Sequence, residues 1–229
     1  MNILVLLDTE GMLTDSQWSF VLRMLKDRRA RVVIRGSTND GRLAMWSDHP
    51  RVRLVSNTGA LTDHDFGWSE ALMFSDWVTL VEVYGNLLPS PRGLEKMFEA
   101  LEDVDVALLQ PLSKPRGITA WRQGLIRRIL DLPLYDVTGT IRAWRRDLVE
   151  ELHHSFQSSS PSEFRMTSLV RAFIAGAVVV EIPEDLAPHT RVGLRHSRRL
   201  LKEVWRVRSV RKQITGIKKV SHVADLPDF

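Results

Sequence analysis

Leu134-Tyr135-Asp136-Val137-Thr138-Gly139-Thr140-Ile141-Arg142-Ala143-Trp144-Arg145-Arg146-Asp147-Leu148 decides how this chain is read. Gly139 permits the backbone to turn, with an acid, Asp136, on one side and a base, Arg142, on the other. Beyond them Leu148, Val149 and Leu152 fall at helical spacing, so the turn is expected to lead into a basic helix. A bend of this kind can present charge to a ligand, which makes Asp136 and Arg142 the candidate catalytic residues. Farther along, Ala177-Val178-Val179-Val180-Glu181-Ile182-Pro183 is an apolar run stopped by proline. That is the pattern of a central strand covered on both faces, with Glu181 near its end.

Working outward, the first half alternates strand and helix. Strands are expected at 2–7, 31–34, 52–56, 77–83 and 104–110, and helices at 15–26 (capped by Thr14 or Asp15), 67–74 and 92–102. Such alternation implies an α/β fold, a mostly parallel sheet with helices on both faces, whose ligands gather beyond the carboxyl ends of its strands.

A chain of 229 residues, 44% hydrophobic and 26% charged, can bury the core of a single domain. With no cysteine, disulfides and thiolate metal sites are excluded. The apolar start is short and runs into Asp8 and Glu10, and no apolar stretch reaches the roughly 18–20 residues of a membrane span. A soluble, cytoplasmic protein is expected, with peripheral membrane contact as an option. His153 and His154 lack a third ligand at zinc spacing, and neither a Walker loop nor a nucleophile elbow is present. Residues 189–219 hold eleven basic residues against Glu203, a net +10, which leaves −6 for the rest of a chain whose total is +4. A segment so charged attracts phosphate-rich partners.

In their order, these parts resemble family 2 glycosyltransferases, and within them the dolichyl-phosphate mannose synthase-like branch. That branch carries Asp-X-Thr-Ser-Gly-Phe-Arg-Ala-Tyr-Arg-Arg, then Phe-Gln-X-Glu-Leu-Leu-X-Arg-Ala, then Gly-X-X-Val-Val-Glu-Val-Pro. The matching residues here are Asp136, Thr138, Arg142, Ala143, Arg145 and Arg146, then Phe164, Leu169, Arg171 and Ala172, then Gly176 with Val179, Val180, Glu181, Ile182 and Pro183. The resemblance implies a GT-A-like single domain over 1–196, with a nucleotide-sugar half (1–110) and an acceptor half (111–196), followed by a basic helix and tail (197–229). It also implies transfer of a sugar from a GDP- or UDP-sugar with inversion.

The loops carry the implied donor site. Asp8-Thr9-Glu10-Gly11 stands where the family has Pro-Thr-X-Asn-Glu, and Arg35-Gly36-Ser37-Thr38-Asn39-Asp40-Gly41 where it has Asp-Asp-Gly-Ser-Thr-Asp-Gly. Nucleotide contacts are thereby implied for Asp8, Glu10, Gly36 and Ser37, while Ile34 and Arg35 replace the two acids and leave the base unread. Glu82-Val83-Tyr84-Gly85-Asn86-Leu87-Leu88-Pro89 falls where the family writes Asp-X-Asp-X-Gln-X-X-Pro. Glu82 and Asn86 become candidate oxygen ligands for Mg²⁺ or Mn²⁺. Tyr84, with a reference pKa of about 10, is a poor ligand, so weak or absent metal binding is expected. His189 and Arg195 fall where the branch covers the donor phosphates. Arg116 and Arg122, with Lys114, Arg127 and Arg128, fall where the family brings arginine to an acceptor phosphate.

Two acceptor classes remain open. A polyprenyl phosphate oxygen is already anionic and needs no general base, whereas a hydroxyl on a modified nucleic-acid base, a protein or a glycan would use Asp136 as base. Thr167 replaces the family's Glu in that half. The alternative is a catalytically inactive module that binds membrane or nucleic acid through its basic tail; a DNA-directed sugar transferase would join both activities. Over 197–214, Leu200, Leu201, Val204, Trp205, Val207, Val210 and Ile214 recur at helical spacing. The pattern suits a helix lying on an anionic surface or docked on the domain with its basic face outward. Trp121, Trp144 and Trp205 are expected as core or groove walls.

Overall fold

Alternate residues of nearly every strand are buried on opposite sides of one sheet, so the backbone threads between two apolar layers. The computed structural model describes residues 2–9, 12–36, 41–56, 67–112, 118–137, 139–153, 161–186 and 202–209. Seven strands are present among them: β1 (Ile3–Asp8), β2 (Ala30–Gly36), β3 (Val52–Ser56), β4 (Thr79–Tyr84), β5 (Val106–Pro111), β6 (Ile141–Arg145) and β7 (Val179–Glu184). Their spatial order is β3-β2-β1-β4-β6-β5-β7. Every neighbouring pair is parallel except those of β6, which runs antiparallel to both β4 and β5.

The helices are α1 (Asp15–Lys26), α2 (Trp68–Leu72), α3 (Pro91–Ala100), α4 (Ile118–Leu130), α5 (Arg146–Leu152) and α6 (Pro161–Ala175), with a 3-10 turn at Leu43–Trp46. Leu4, Leu6, Leu80, Leu108 and Trp144 face a first core shared with α2, α4, α5 and α6. Val5, Leu7, Val81, Val83 and Ile141 face a second core closed by α1 and α3. Helices thus cover both faces of a mostly parallel sheet, as the sequence pattern implies. Thr14 settles the start of α1: its hydroxyl accepts from the Gln17 amide at 3.2 Å and Gln17 Oε1 accepts from the Thr14 amide at 2.8 Å.

One expectation is corrected. Residues 141–145 form a strand and not the opening of a basic helix, because Ile141 and Ala143 enter the second core while Arg142 and Trp144 enter the first. The helix begins only at Arg146. Being antiparallel, β6 starts at the edge where β4 and β5 end, and this brings the Asp136 bend there.

Residues 202–209 are helical, with Val204 and Val207 buried in the first core and Lys202, Trp205 and Arg206 exposed. Of the three tryptophans expected as core or groove walls, Trp144 is core, whereas Trp121 and Trp205 are 65% and 55% exposed. No helix among the described residues is long and apolar enough to cross a membrane.

Gly67 caps α2 with φ +100°, and a Cβ there would lie 2.8 Å from Leu6 Cδ1. Gly67→Ala is expected to destabilise the protein by about 1–3 kcal/mol, read by urea unfolding, and to loosen the adjacent Trp68.

Candidate functional site

At the carboxyl edge of the sheet, backbone hydrogen bonds fasten the ends of three strands together. The Tyr84 amide donates to Thr140 O at 2.8 Å and the Gly85 amide to Asp8 O at 2.9 Å. Gln17 Nε2, from α1, donates to Gly85 O at 2.8 Å and holds the glycine turn that follows β4. The segment after β4 and the Asp136 bend therefore share one edge.

The bend is pinned from both sides. Its own turn closes through the Gly139 amide on Asp136 O at 3.3 Å, and a Cβ at Gly139 would stand 3.4 Å from that oxygen. Glu181, from β7, accepts from the Tyr135 and Asp136 amides at 2.7 and 2.8 Å. Arg142, wholly buried, donates to Val137 O at 2.9 Å, Gly139 O at 3.0 Å, Arg165 O at 2.6 Å and Ser168 Oγ at 3.3 Å. Burial pulls its proton affinity down to about 10, with Glu82 pulling the other way. Arg142 thus shapes the bend and α6; its guanidinium is not offered to a ligand. Asp136 is itself 2% exposed. Arg122, buried on α4, interacts electrostatically with Asp136, and its Nε has no hydrogen-bond partner.

Glu82 lies one step deeper, paired across β4 and β6 with Arg142. Its side chain has no exposure, and Trp68 Nε1, Tyr84 Oη and Trp144 Nε1 donate to it at 2.5, 2.9 and 2.7 Å. Asn86, by contrast, is exposed beyond the strand. A carboxylate sealed by two indoles and a phenol does not fit a divalent-ion site shared with Asn86. Among the described residues no group of three His, Cys, Asp or Glu side chains could hold a metal.

On the donor side, Asp8 and Arg35 end β1 and β2 as a buried ion pair, Arg35 Nη1 lying 3.2 Å from each Asp8 oxygen. The Thr9 amide and hydroxyl both donate to Arg35 O, at 2.8 and 3.2 Å. Gly36 closes β2 beside Ser56. Glu10, Ser37, Arg116, His189 and Arg195 lie outside the described residues. A groove of about 420 Å³ beside α1, lined by Asp15, Ser19, Arg23 and Leu88, involves none of the Asp136 cluster.

Sequence reasoning missed Trp68, Glu181 as the holder of the bend, and Arg165. Arg165 stands on α6 with its guanidinium 4.9 Å over the Tyr84 ring. Its one signal was a charge directly after Phe164, where the resembling motif writes Gln.

No protein-family model and no curated protein matches the chain. Solved structures do. Glucosyl-3-phosphoglycerate synthase from Mycobacterium tuberculosis, in complex with Mn²⁺, UDP-glucose and phosphoglyceric acid, superposes with a TM-score of 0.63 at 17% identity, covering 91% of this chain and 80% of that one. The same synthase with Mn²⁺, UDP and phosphoglyceric acid gives 0.65 at 14% identity over 90% and 78%. A third structure of it gives 0.65 at 14% over 95% and 82%. Likeness at this identity shows the architecture, the GT-A fold.

Glu82→Ala is expected to destabilise by about 3–5 kcal/mol in urea, because Arg142 would be left buried without its counter-charge, and to leave Mn²⁺ affinity unchanged in calorimetry. Burial raises the proton affinity of Glu181 above 4.5. The folded state then holds that proton more tightly than the unfolded chain, so this group's contribution is full below the unfolded value and lost as pH rises through the folded one. Glu181→Gln is expected to flatten that decline in an unfolding series run upward from acid.

Proposed function

We propose that this chain transfers a sugar from a nucleotide-sugar to a phosphate-bearing acceptor at the carboxyl edge of its sheet. The observation that carries the reading is the single bond from the Tyr84 amide to Thr140 O, 2.8 Å, which joins the donor-side strand to the Asp136 bend. Reactants seated on either side of that bond meet without either half moving.

The acceptor side rests on Arg122. Burial lowers its proton affinity, and a guanidinium that has lost water and leaves Nε unpaired gains from a bidentate phosphate. Asp136 beside it keeps that fork oriented. When the attacking atom is a phosphate oxygen Asp136 only orients; when it is a hydroxyl of a phosphorylated acceptor, Asp136 takes the proton. The phosphoglyceric acid named with the synthase structures belongs to that second class. A polyprenyl phosphate, the acceptor of the resembling branch, belongs to the first. Glu82 has a structural role in this reading, and no step passes through a metal.

A second reading has one observation in its favour. Arg35, in the place of one of the two family acids, is spent on a buried ion pair with Asp8, which suits a phosphate-binding module that performs no transfer.

Screening UDP-glucose and GDP-mannose by thermal shift, with and without EDTA, separates the two. A bound donor at a hundred times its Kd is expected to stabilise by about 2.7 kcal/mol, a rise on the order of 5–10 °C that EDTA leaves in place. Arg122→Ala should keep the donor shift yet weaken the phosphorylated acceptor about tenfold or more. Absence of a shift with every nucleotide-sugar would leave the binding module.

A further inference from the structure

We propose that Arg165, held over the Tyr84 ring, supplies as a fixed guanidinium the positive charge that a divalent ion supplies where paired carboxylates end β4. The inference rests on reading this edge as a nucleotide-diphosphate site.

The residues that would ligate an ion have been put to other use. Glu82 is closed in by Trp68, Trp144 and Tyr84, and Tyr84 offers a phenol in place of a second carboxylate. That phenol is committed as a donor, its hydroxyl lying 2.9 Å from Glu82 Oε1. A neutral ring cannot attract a divalent cation as a carboxylate does, yet its face attracts a guanidinium. Arg165 takes up that position, its guanidinium carbon 4.9 Å from the ring centroid.

The anchoring of Arg165 differs from that of the buried arginine beside it. Arg142 spends its guanidinium on three carbonyls and a hydroxyl. In Arg165 it is the backbone that is anchored, its carbonyl accepting from Arg142 Nη1 at 2.6 Å and Ser168 Oγ at 3.1 Å. Its Nε is buried and has no hydrogen-bond partner. The two guanidinium charges also repel, since Arg165 lowers the proton affinity of Arg142. A cation over a neutral ring, with a buried donor left without a partner and a second cation near it, gains from an anion. A diphosphate, with oxygens matched to the guanidinium fork, is the anion this edge would receive.

The test is calorimetric titration of the full chain with UDP, GDP, their nucleosides and inorganic pyrophosphate, in EDTA and in Mn²⁺. Diphosphate affinity is expected to be the same in both. Arg165→Gln should weaken UDP, GDP and pyrophosphate by about tenfold to a hundredfold and leave the nucleosides unaffected, and Arg165→Lys should recover part of the loss. Melting curves on both variants separate lost binding from lost folding, and the double variant Y84D/R165Q should gain Mn²⁺-dependent UDP binding. Affinity that rises with Mn²⁺ in the unaltered chain, or that is unchanged in Arg165→Gln, overturns the inference. Pyrophosphate bound through Arg165 without any nucleotide would sustain it while removing the sugar-transfer reading, and failure of every ligand removes both.

Discussion

A buried charge pair organises this molecule. Glu82 and Arg142 face each other across β4 and β6 in the interior of the sheet, and neither has any exposure. Taking two charges out of water costs several kcal/mol each, so such a pair persists only where every remaining donor and acceptor is met. Here the demand is met by distant parts of the chain: indoles from α2 and β6 and the Tyr84 phenol for the carboxylate, carbonyls from the Asp136 bend and α6 for the guanidinium. Two helices, two strands and a turn are fixed by one electrostatic requirement. The aromatic packing follows from it, since Trp68 meets Trp144 and Phe164 edge-on with centroids 5.2 and 5.3 Å away.

Burying this pair does little for stability as such, because well-packed apolar residues in the same volume are often as good. What it contributes is geometry. Arg142 sets the Val137 and Gly139 carbonyls, Glu181 sets the Tyr135 and Asp136 amides, and the bend between them has little freedom left. Asp136, buried in that bend, interacts electrostatically with Arg122. A bend fixed in this way would lose little entropy on receiving the proposed ligand, which is the benefit of setting geometry in advance.

The sheet was legible in the sequence because its strands are apolar on both faces and punctuated by proline, glycine and capping residues. β1, β3, β4 and β7 lie near where the apolar runs put them. β6 was not legible: its first-core positions hold Arg142 and Trp144, so a strand buried on both sides reads as a basic segment. The sequence offers Glu82 as a candidate metal ligand, and its burial was not legible, for a related reason. Its partners Trp68, Trp144 and Arg142 lie far off in the chain, and only strand order brings them together. Residues of the Asp136 bend could be named in advance because they are contiguous. Arg165, which meets Tyr84 only through folding, could not.

Charge accounting along the edge joins these observations. At two places where the resembling pattern has an acid on the donor side this chain has none: Arg35, which pairs with Asp8, and Tyr84, over which Arg165 lies. Had the acids alone been lost, a divalent ion would be lost with them and a diphosphate would face a neutral surface. Instead the changes occur together with arginines at the same strand ends. Among the arginines of this edge, Arg122 and Arg165 each keep a buried Nε without a hydrogen-bond partner. Electrostatic stabilisation of a diphosphate depends on cations already in place and screened from water. In the proposed reading, Arg122 on α4 and Arg165 on α6 would meet that condition without an exchangeable ion.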